Sequence, residues 1–124
     1  MTTRYFSPWS AAALALLAAF CVANRELVTG RAAPIWDADS QFAPYFTLLA
    51  DFIRAGRLLL WDPWLNGGSP DFANPEVGAL SPVTVAFAAI GGPTISGFRA
   101  YWLSLWFLSG AGILVLAKHL GAPV

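Results

Sequence analysis

A run of nineteen residues without a charge, Tyr5–Ala23, constrains the fold of this chain more than any other feature. An α-helix needs about 20 predominantly apolar residues to cross the hydrocarbon core of a bilayer. Arg4 and the short apolar centre also fit a cleaved signal peptide, but the Asn-Arg-Glu of residues 24–26 offers no small-residue cleavage site. We therefore predict an uncleaved first transmembrane helix within residues 1–24.

A second run of eighteen uncharged residues, Ala100–Ala117, predicts another transmembrane helix, within residues 94–124. Arg99 stands at its start, where a long side chain can reach the membrane interface. The small residues of 109–112 favour close packing against a neighbouring helix. Aromatic residues concentrate toward the Arg99 end, as an interfacial belt requires; they are Tyr101, Trp102 and Trp106.

The composition supports a membrane protein. Hydrophobic residues make up 57% of the 124 residues and charged residues 11%, against roughly 25% charged in soluble domains. A soluble domain this short buries too small a fraction of its chain to hide that much apolar surface, so membrane lipid is its expected surrounding. Seven basic and seven acidic residues cancel, and no polybasic patch indicates a nucleic acid partner. Cys21 is the single cysteine, which excludes a disulfide framework and a cysteine-based metal site.

Between the two runs, Ser40–Gly56 has the pattern of an amphipathic helix. Pro44 falls in its first turn, where a missing N–H costs nothing, and Gly56 provides a C-terminal stop. The segment is too short and too charged to cross a membrane, so we predict that it lies in the interface plane. The alternative is a core-facing helix of an extramembrane domain. One face carries the apolar residues Phe42, Tyr45, Phe46, Leu49, Phe52 and Ile53.

A shorter apolar segment, Val77–Ile90, has fourteen uncharged residues and is followed by Gly-Gly-Pro at 91–93. Its length favours an interfacial or re-entrant helix, at about residues 79–90, over a third span. The sequence thus predicts an all-α membrane protein in which two transmembrane helices flank a loop, residues 25–93, with interfacial helices. Charge leaves the orientation open, because five arginines between the spans oppose the positive-inside rule, which is unreliable for loops beyond about 60 residues.

Two acids in the loop are the strongest candidates for chemistry. Asp37 and Asp39 stand two positions apart, just before the amphipathic helix. Paired carboxylates can bind a divalent cation, and a single carboxylate can act as a general base. The alternative is a structural role, because aspartate is favoured at helix N-caps and near the positive end of the helix dipole. We expect Gln41, Arg54 and Arg57 to contribute to substrate binding, the arginines by neutralising a phosphate.

The order of several short motifs between residues 34 and 90 carries a family resemblance. The motifs are Asp37 and Asp39 with Gln41 and Pro44, Arg54-Ala55-Gly56-Arg57, Leu60-Trp61-Asp62-Pro63-Trp64, Gly67-Gly68-Ser69-Pro70, Ala73-Asn74-Pro75-Glu76 and Ser81-Pro82. They resemble the first extracytoplasmic loop of the bacterial YfhO-like membrane proteins, relatives of the C-type glycosyltransferases that use polyprenyl-phosphate sugars. The departures are mild: the family often has Pro-Leu where Leu59-Leu60 stands, and Asn in place of Asp62.

The resemblance implies a protein of many transmembrane helices in the bacterial plasma membrane. It implies that residues 25–99 are extracytoplasmic and that both ends of this chain are cytoplasmic. It also implies that an acidic residue of the first loop, Asp37 or Asp39 here, is the catalytic base or a metal ligand. The donor would be a lipid-linked sugar, and a divalent cation is the cofactor that these acids could hold.

We therefore expect the N-terminal part of a membrane glycosyltransferase-like protein that transfers a sugar from a lipid-phosphate carrier to an extracytoplasmic acceptor. By this interpretation the chain is inactive without the remaining transmembrane helices of the full-length protein. The alternative is a non-catalytic multi-pass membrane protein whose loop binds lipid or a partner. Further spans with charged loop residues would favour the enzyme.

Overall fold

The computed structural model describes residues 7–123, in which helices are the only regular elements apart from one isolated β-bridge. A π-helical turn, Ala38–Phe42, runs into the third helix, and a 3₁₀ turn covers Asp71–Ala73. The all-α prediction is therefore confirmed for the described part of the chain. The helices are α1 (Pro8–Ala23), α2 (Arg25–Val28), α3 (Ala43–Arg54), α4 (Pro82–Gly91) and α5 (Ile95–His119).

Three helices begin where the sequence supplies a hydroxyl cap. The hydroxyl oxygens of Ser7, Ser81 and Thr94 each accept a hydrogen bond from the backbone N–H three residues later, at 3.2, 3.3 and 3.0 Å. Proline follows both serines, at a position where its fixed φ suits a helix and its missing N–H leaves no donor unpaired. These caps place the start of α4 at residue 82 instead of 79, and the start of α5 before the uncharged run.

The start of α3 differs from the predicted start at Ser40. Pro44 is the second residue of α3, and the helical path continues back through the π-helical turn. A proline ring clashes with the carbonyl four residues before it, here that of Ser40, so a regular α-helix through this point is disfavoured. The wider π-helical turn is the form the backbone takes instead.

The end of α3 follows the expected glycine stop. Gly56 has a positive φ of 66°. Its N–H donates to the carbonyl of Ile53 at 3.0 Å, and the N–H of Arg57 donates to the carbonyl of Phe52 at 2.9 Å. This pair of bonds is a Schellman motif, which satisfies carbonyls that the last turn would leave free.

The membrane-spanning prediction is supported for one helix. Within residues 7–123, α5 is the one helix long and apolar enough to cross a bilayer. The first helix is apolar but has 16 residues, fewer than the roughly 20 that a span needs. Residues 1–6 of the predicted first span, residues 1–24, lie outside the described residues. The presence of two spans therefore stays a prediction.

The helices α1 and α5 pack side by side and run in opposite directions. The rings of Phe20 and Phe107 meet edge to face with centroids 5.5 Å apart. Leu16, one turn earlier in α1, lies next to Gly110, where an added Cβ would be 3.5 Å from the leucine Cδ1. Residue numbers rise along one helix as they fall along the other, so the intervening chain leaves and returns at the same end of the pair.

A core forms where α3 packs against α4 and the beginning of α5. Phe46 and Leu49, on the apolar face of α3, are buried, as is Phe98 of α5. The rings of Phe46 and Phe98 are 5.7 Å apart, and Tyr101 stacks on Phe46 at 5.3 Å. Each buried apolar side chain contributes about 1.5–3 kcal/mol. The apolar face of α3 is thus turned toward the neighbouring helices, as the core-facing alternative expects.

Glycines allow α4 and α5 to meet closely at the corner between them. A Cβ on Gly91 would lie 2.8 Å from the Cα of Gly97, a distance that real Cβ atoms do not reach. Gly92 has a positive φ of 65°, and the guanidinium of Arg54 covers it. The corner therefore requires residues without a side chain, and it joins the end of α3 to the beginning of α5.

Candidate functional site

Asp37 and Asp39 are exposed, and neither forms an ion pair with another described residue. Asp37 occupies the N-cap position of the π-helical turn, but its side chain makes no capping hydrogen bond. Asp39 is exposed as well, and the ion pair found among the described residues joins Arg25 to Glu26 instead. Asp37 thus lacks the capping bond of the structural alternative, whereas Asp39 stands in the first turn, where the same alternative expects an acid near the positive end of the helix dipole. Trp36, just before them, has a positive φ of 63°, a strained conformation that often occurs at functional sites.

The residue between the two acids lies beside the two tryptophans in the first half of α5. Ala38, which separates them in sequence, is buried and lines a groove of about 330 Å³ together with Trp102 and Trp106. Tryptophans at the end of an apolar helix mark the headgroup level of a membrane. Asp37 and Asp39 flank the residue that reaches this groove and are themselves exposed.

The two predicted substrate-binding arginines lie elsewhere. Arg54 packs over Gly92, and the guanidinium of Arg57 sits 4.6 Å above the ring centroid of Phe52. Fifteen residues of helical path separate Arg54 from Asp39, which corresponds to roughly 20 Å at about 1.5 Å per residue. The structure therefore does not bring these arginines together with the acids, because the two groups occupy opposite ends of one helix.

Another arginine lies at the same end of α5 as the tryptophans. Arg99 precedes Trp102 by one helical turn, and its Nη2 donates to the hydroxyl of Ser96 at 3.4 Å. An added Cβ on Gly30 would lie 3.1 Å from that Nη2, so the side chain crosses the segment after α2. Sequence analysis interpreted Arg99 only as an interfacial anchor. Its proximity to the segment leading to Asp37 could not be inferred from spacing.

Gln41 behaves differently from the arginines, since it stays near the acids. Its amide Nε2 donates a hydrogen bond to a carboxylate oxygen of Glu76, which links the start of α3 to the loop before α4. Gln41 also borders a cavity of about 640 Å³ between α3 and the loop. The residues that line this cavity are Ser40, Gln41, Pro44, Tyr45, Leu48, Asp62, Trp64, Leu65 and Asn66.

The far wall of the cavity is a short hairpin formed by residues 62–69. Asp62 and Ser69 exchange two backbone N–H···O bonds of 2.8 Å each. Trp61 packs over Gly68, where an added Cβ would lie 2.4 Å from the ring. Sequence analysis used parts of this segment only as motifs of the family resemblance and did not identify Asp62, Trp64 and Asn66 as site residues. The Asp-Pro-Trp sequence ahead of two glycines was the available signal.

Two further acids in the loop are buried. Asp62 is 6% exposed, and its Oδ1 accepts the backbone N–H of Trp64 at 2.8 Å. Asp71 is fully buried, and neither carboxylate oxygen has a hydrogen-bond partner in the described part of the chain. Within the same range no group of three or more histidine, cysteine or acidic side chains is arranged to hold a metal.

The two exposed acids lie within a few residues of both the groove and the polar cavity. An exposed carboxylate at Asp37 or Asp39 can accept a proton from a hydroxyl group. The groove and the cavity lie beside the acids, since Ala38 lines one and Ser40 lines the other.

Comparison with protein-family models, curated proteins and solved structures finds no match for this chain.

Proposed function

We propose that this chain is the N-terminal part of a YfhO-like membrane glycosyltransferase that transfers a sugar from a lipid-phosphate carrier to an extracytoplasmic acceptor. One observation carries the proposal: two exposed carboxylates that form no ion pair in the described residues flank Ala38, which lines a groove with Trp102 and Trp106 of the apolar helix α5. At that level a base can act on a substrate whose lipid tail stays in the bilayer. The motif order between residues 34 and 90 supports the same function.

The reaction requires a base and a stabilised leaving group. The carboxylate of Asp37 or Asp39 removes the proton from an acceptor hydroxyl, whose oxygen attacks the anomeric carbon of the donor sugar. The bond between that carbon and the phosphate oxygen breaks, and the lipid phosphate departs with the electron pair. A cation stabilises that phosphate. Arg99 is better placed for this role than Arg54 or Arg57, because its guanidinium lies against Gly30, in the segment that leads to Asp37.

The proposed topology has residues 25–99 outside the cytoplasm of a bacterium and both ends inside. The antiparallel packing of α1 and α5 supports it, because the loop leaves and returns at one end of the pair. The outer surface of α5 is apolar and exposed, which suits lipid or the remaining transmembrane helices of the full-length protein. The exposed residues there are Leu108, Ile113, Val115 and Leu116.

The topology can be tested with single cysteines in a Cys21→Ser background. Asp51→Cys places a thiol on the exposed face of α3, and Ala122→Cys places one after α5. A membrane-impermeant maleimide applied to intact cells should label the first variant and spare the second. Both should react after permeabilisation, which controls for thiol accessibility. Labelling of both in intact cells would contradict the proposed orientation.

The catalytic role is tested by Asp37→Asn and Asp39→Asn in the full-length protein. The amide keeps the shape of the side chain and removes the charge, so loss of the general base should lower the rate of sugar transfer by about 10²–10⁴. The rate is measured in liposomes from a radiolabelled polyprenyl-phosphate sugar. Asp51→Asn, an exposed acid further along α3, is the matched control and should retain the parent rate.

The same measurement distinguishes the possible outcomes. Wild-type rates in both variants would exclude a catalytic role for these acids. Failure of either variant to accumulate in the membrane would show that the acid is structural. A severe loss in one variant alone would identify that residue as the base. Protein level in the membrane fraction is therefore determined for each variant beside its rate.

A second function is favoured by one specific observation. The loop carries large apolar side chains that are more than half exposed to the surroundings, and such surfaces bind lipid or a partner. By this alternative the protein is a non-catalytic membrane protein. It predicts that liposomes protect these side chains from water while no sugar is transferred by the wild-type protein. The residues concerned are Leu58, Leu60, Trp61 and Leu80.

A further inference from the structure

We propose that the cavity of about 640 Å³ between the start of α3 and the 62–69 hairpin binds a neutral pyranose ring, which belongs to the sugar acceptor. The binding of the ring is inferred from the cavity itself, and its assignment to the acceptor rests on the proposed function. The volume falls within the roughly 300–1,000 Å³ of small-molecule sites. Its walls combine aromatic, aliphatic and uncharged polar side chains, as a ligand with both C–H and O–H groups requires.

An aromatic surface is available for the apolar side of a sugar ring. Trp64 borders the cavity, and 76% of the residue is exposed. Most of its indole surface is therefore accessible to a ligand and not covered by the described chain. Tyr45 of α3 lines the cavity too. The C–H groups on one side of a pyranose pack against the electron-rich surface of an indole or phenol ring, whose faces carry partial negative charge.

Three polar side chains retain hydrogen-bonding capacity toward the cavity. Asp62 uses Oδ1 to hold the N–H of Trp64, which leaves Oδ2 as an acceptor. Gln41 donates through Nε2 to Glu76, which leaves its carbonyl oxygen as an acceptor. Asn66 has an amide with both donors and an acceptor. Together they provide the mixture of acceptors and donors that ring hydroxyls need.

The charge of the lining argues against an anionic ligand. Asp62 is the single charged residue among the nine that line the cavity, and it is negative. A phosphate placed beside a buried carboxylate would be repelled and would find no arginine or lysine to neutralise it. The lipid phosphate of the donor therefore belongs elsewhere, and the cavity suits an uncharged polyhydroxylated group. We assign the ring to the acceptor, because the donor sugar is bonded directly to the phosphate that this lining disfavours.

The cavity wall is held in a defined and partly strained shape. The hairpin is closed by the double backbone bond between Asp62 and Ser69. Asn66 at its tip has a positive φ of 51°, a conformation that a residue with a side chain adopts at some cost in free energy. Ser40 lines the opposite side and directly follows Asp39. A ring bound here would thus present hydroxyls next to the proposed base.

The test measures saturation transfer by NMR from the chain in lipid nanodiscs to methyl glucopyranosides and methyl galactopyranosides of both anomeric forms. At least one glycoside should receive saturation at its ring protons. Trp64→Ala should weaken its binding by about tenfold, the effect of losing one aromatic contact. Trp9→Ala, a tryptophan in the first turn of α1, is the matched control and should bind like the parent chain.

Asn66→Gly provides a second variant, because glycine accepts the positive φ and removes only the amide. It should weaken glycoside binding several-fold in a folded hairpin. Binding unchanged in both cavity variants, absence of binding by every glycoside, or preferential binding of choline or glycerol phosphate would each overturn the inference. Glycoside binding that persists while the full-length protein transfers no sugar would reject the proposed function and leave the sugar site standing.

Discussion

Two regions of the molecule share one helix but differ in how far their apolar side chains are buried. The loop core consists of α3, α4 and residues 95–102 of α5, and the apolar pair consists of α1 and residues 103–119 of α5. The buried residues of α5 are Gly97 and Phe98, both in the loop core, and α1 has none. The first region thus folds on itself, whereas the second leaves its apolar surface for another environment.

Aromatic contacts show the same contrast. In the loop core, Phe98 lies 5.6–6.3 Å from the rings of Trp102, Phe46 and Tyr101. In the apolar pair, the aromatic contact between the helices is that of Phe20 with Phe107. Lipid tails are as apolar as these side chains, so helices in a bilayer gain little from the hydrophobic effect when they meet. Few contacts between α1 and α5 are therefore consistent with a bilayer around them.

The largest expected loss of stability distinguishes two phenylalanines of α5, Phe98 and Phe107. Phe98 is fully buried, and Phe98→Ala should lower the free energy of unfolding of the loop core by about 3–5 kcal/mol, through lost burial and the cavity left behind. Phe107→Ala, nine residues along α5, should leave the loop core unchanged. Unfolding is followed in detergent micelles by near-ultraviolet circular dichroism, to which the aromatic cluster contributes.

The comparison would fail in either of two ways. Equal destabilisation by Phe98→Ala and Phe107→Ala would show that the two regions unfold as one unit. A loop core insensitive to Phe98→Ala would show that its aromatic cluster does not provide the core. Helical content of both variants, measured in the far ultraviolet, controls for a general failure of the chain to insert or fold.

The sequence predicts well those features that depend on residues close together in the chain, such as the amphipathic helix and its end. The apolar face of Ser40–Gly56 and the stop at Gly56 follow from local spacing and from the left-handed conformation that glycine permits. The structure confirms a helix at Ala43–Arg54 and a positive φ at Gly56. The exact start was wrong, because the proline effect on the preceding turn depends on how the chain enters from Trp36, which spacing does not reveal.

Contacts between distant segments could not be predicted. The cavity depends on residues 40–48 of α3 meeting a hairpin some twenty residues later, and nothing in the periodicity of either segment specifies that meeting. Arg54 was expected to face a phosphate, but the corner after α4 brings Gly92 beneath its guanidinium. Asp37 and Asp39 could be singled out from the sequence because one residue separates them, and their catalytic role stays a prediction. Their relation to Trp102 and Trp106 required the fold.

A smaller loss of stability than that of Phe98→Ala is expected from a glycine substitution in α5. It locates the boundary between the loop core and the apolar pair. A Cβ at Gly97 would lie 2.7 Å from the carbonyl oxygen of Gly91, so Gly97→Ala must push α4 and α5 apart. Overpacking of this kind typically costs about 1–3 kcal/mol. Gly112 has no heavy atom within 4 Å of an added Cβ, and Gly112→Ala should be neutral or stabilising by up to about 1 kcal/mol, since alanine is the better helix former. Both are measured by thermal unfolding in detergent. Gly112→Ala as harmful as Gly97→Ala would place a close helix contact in the apolar pair and erase the distinction between the two halves of α5.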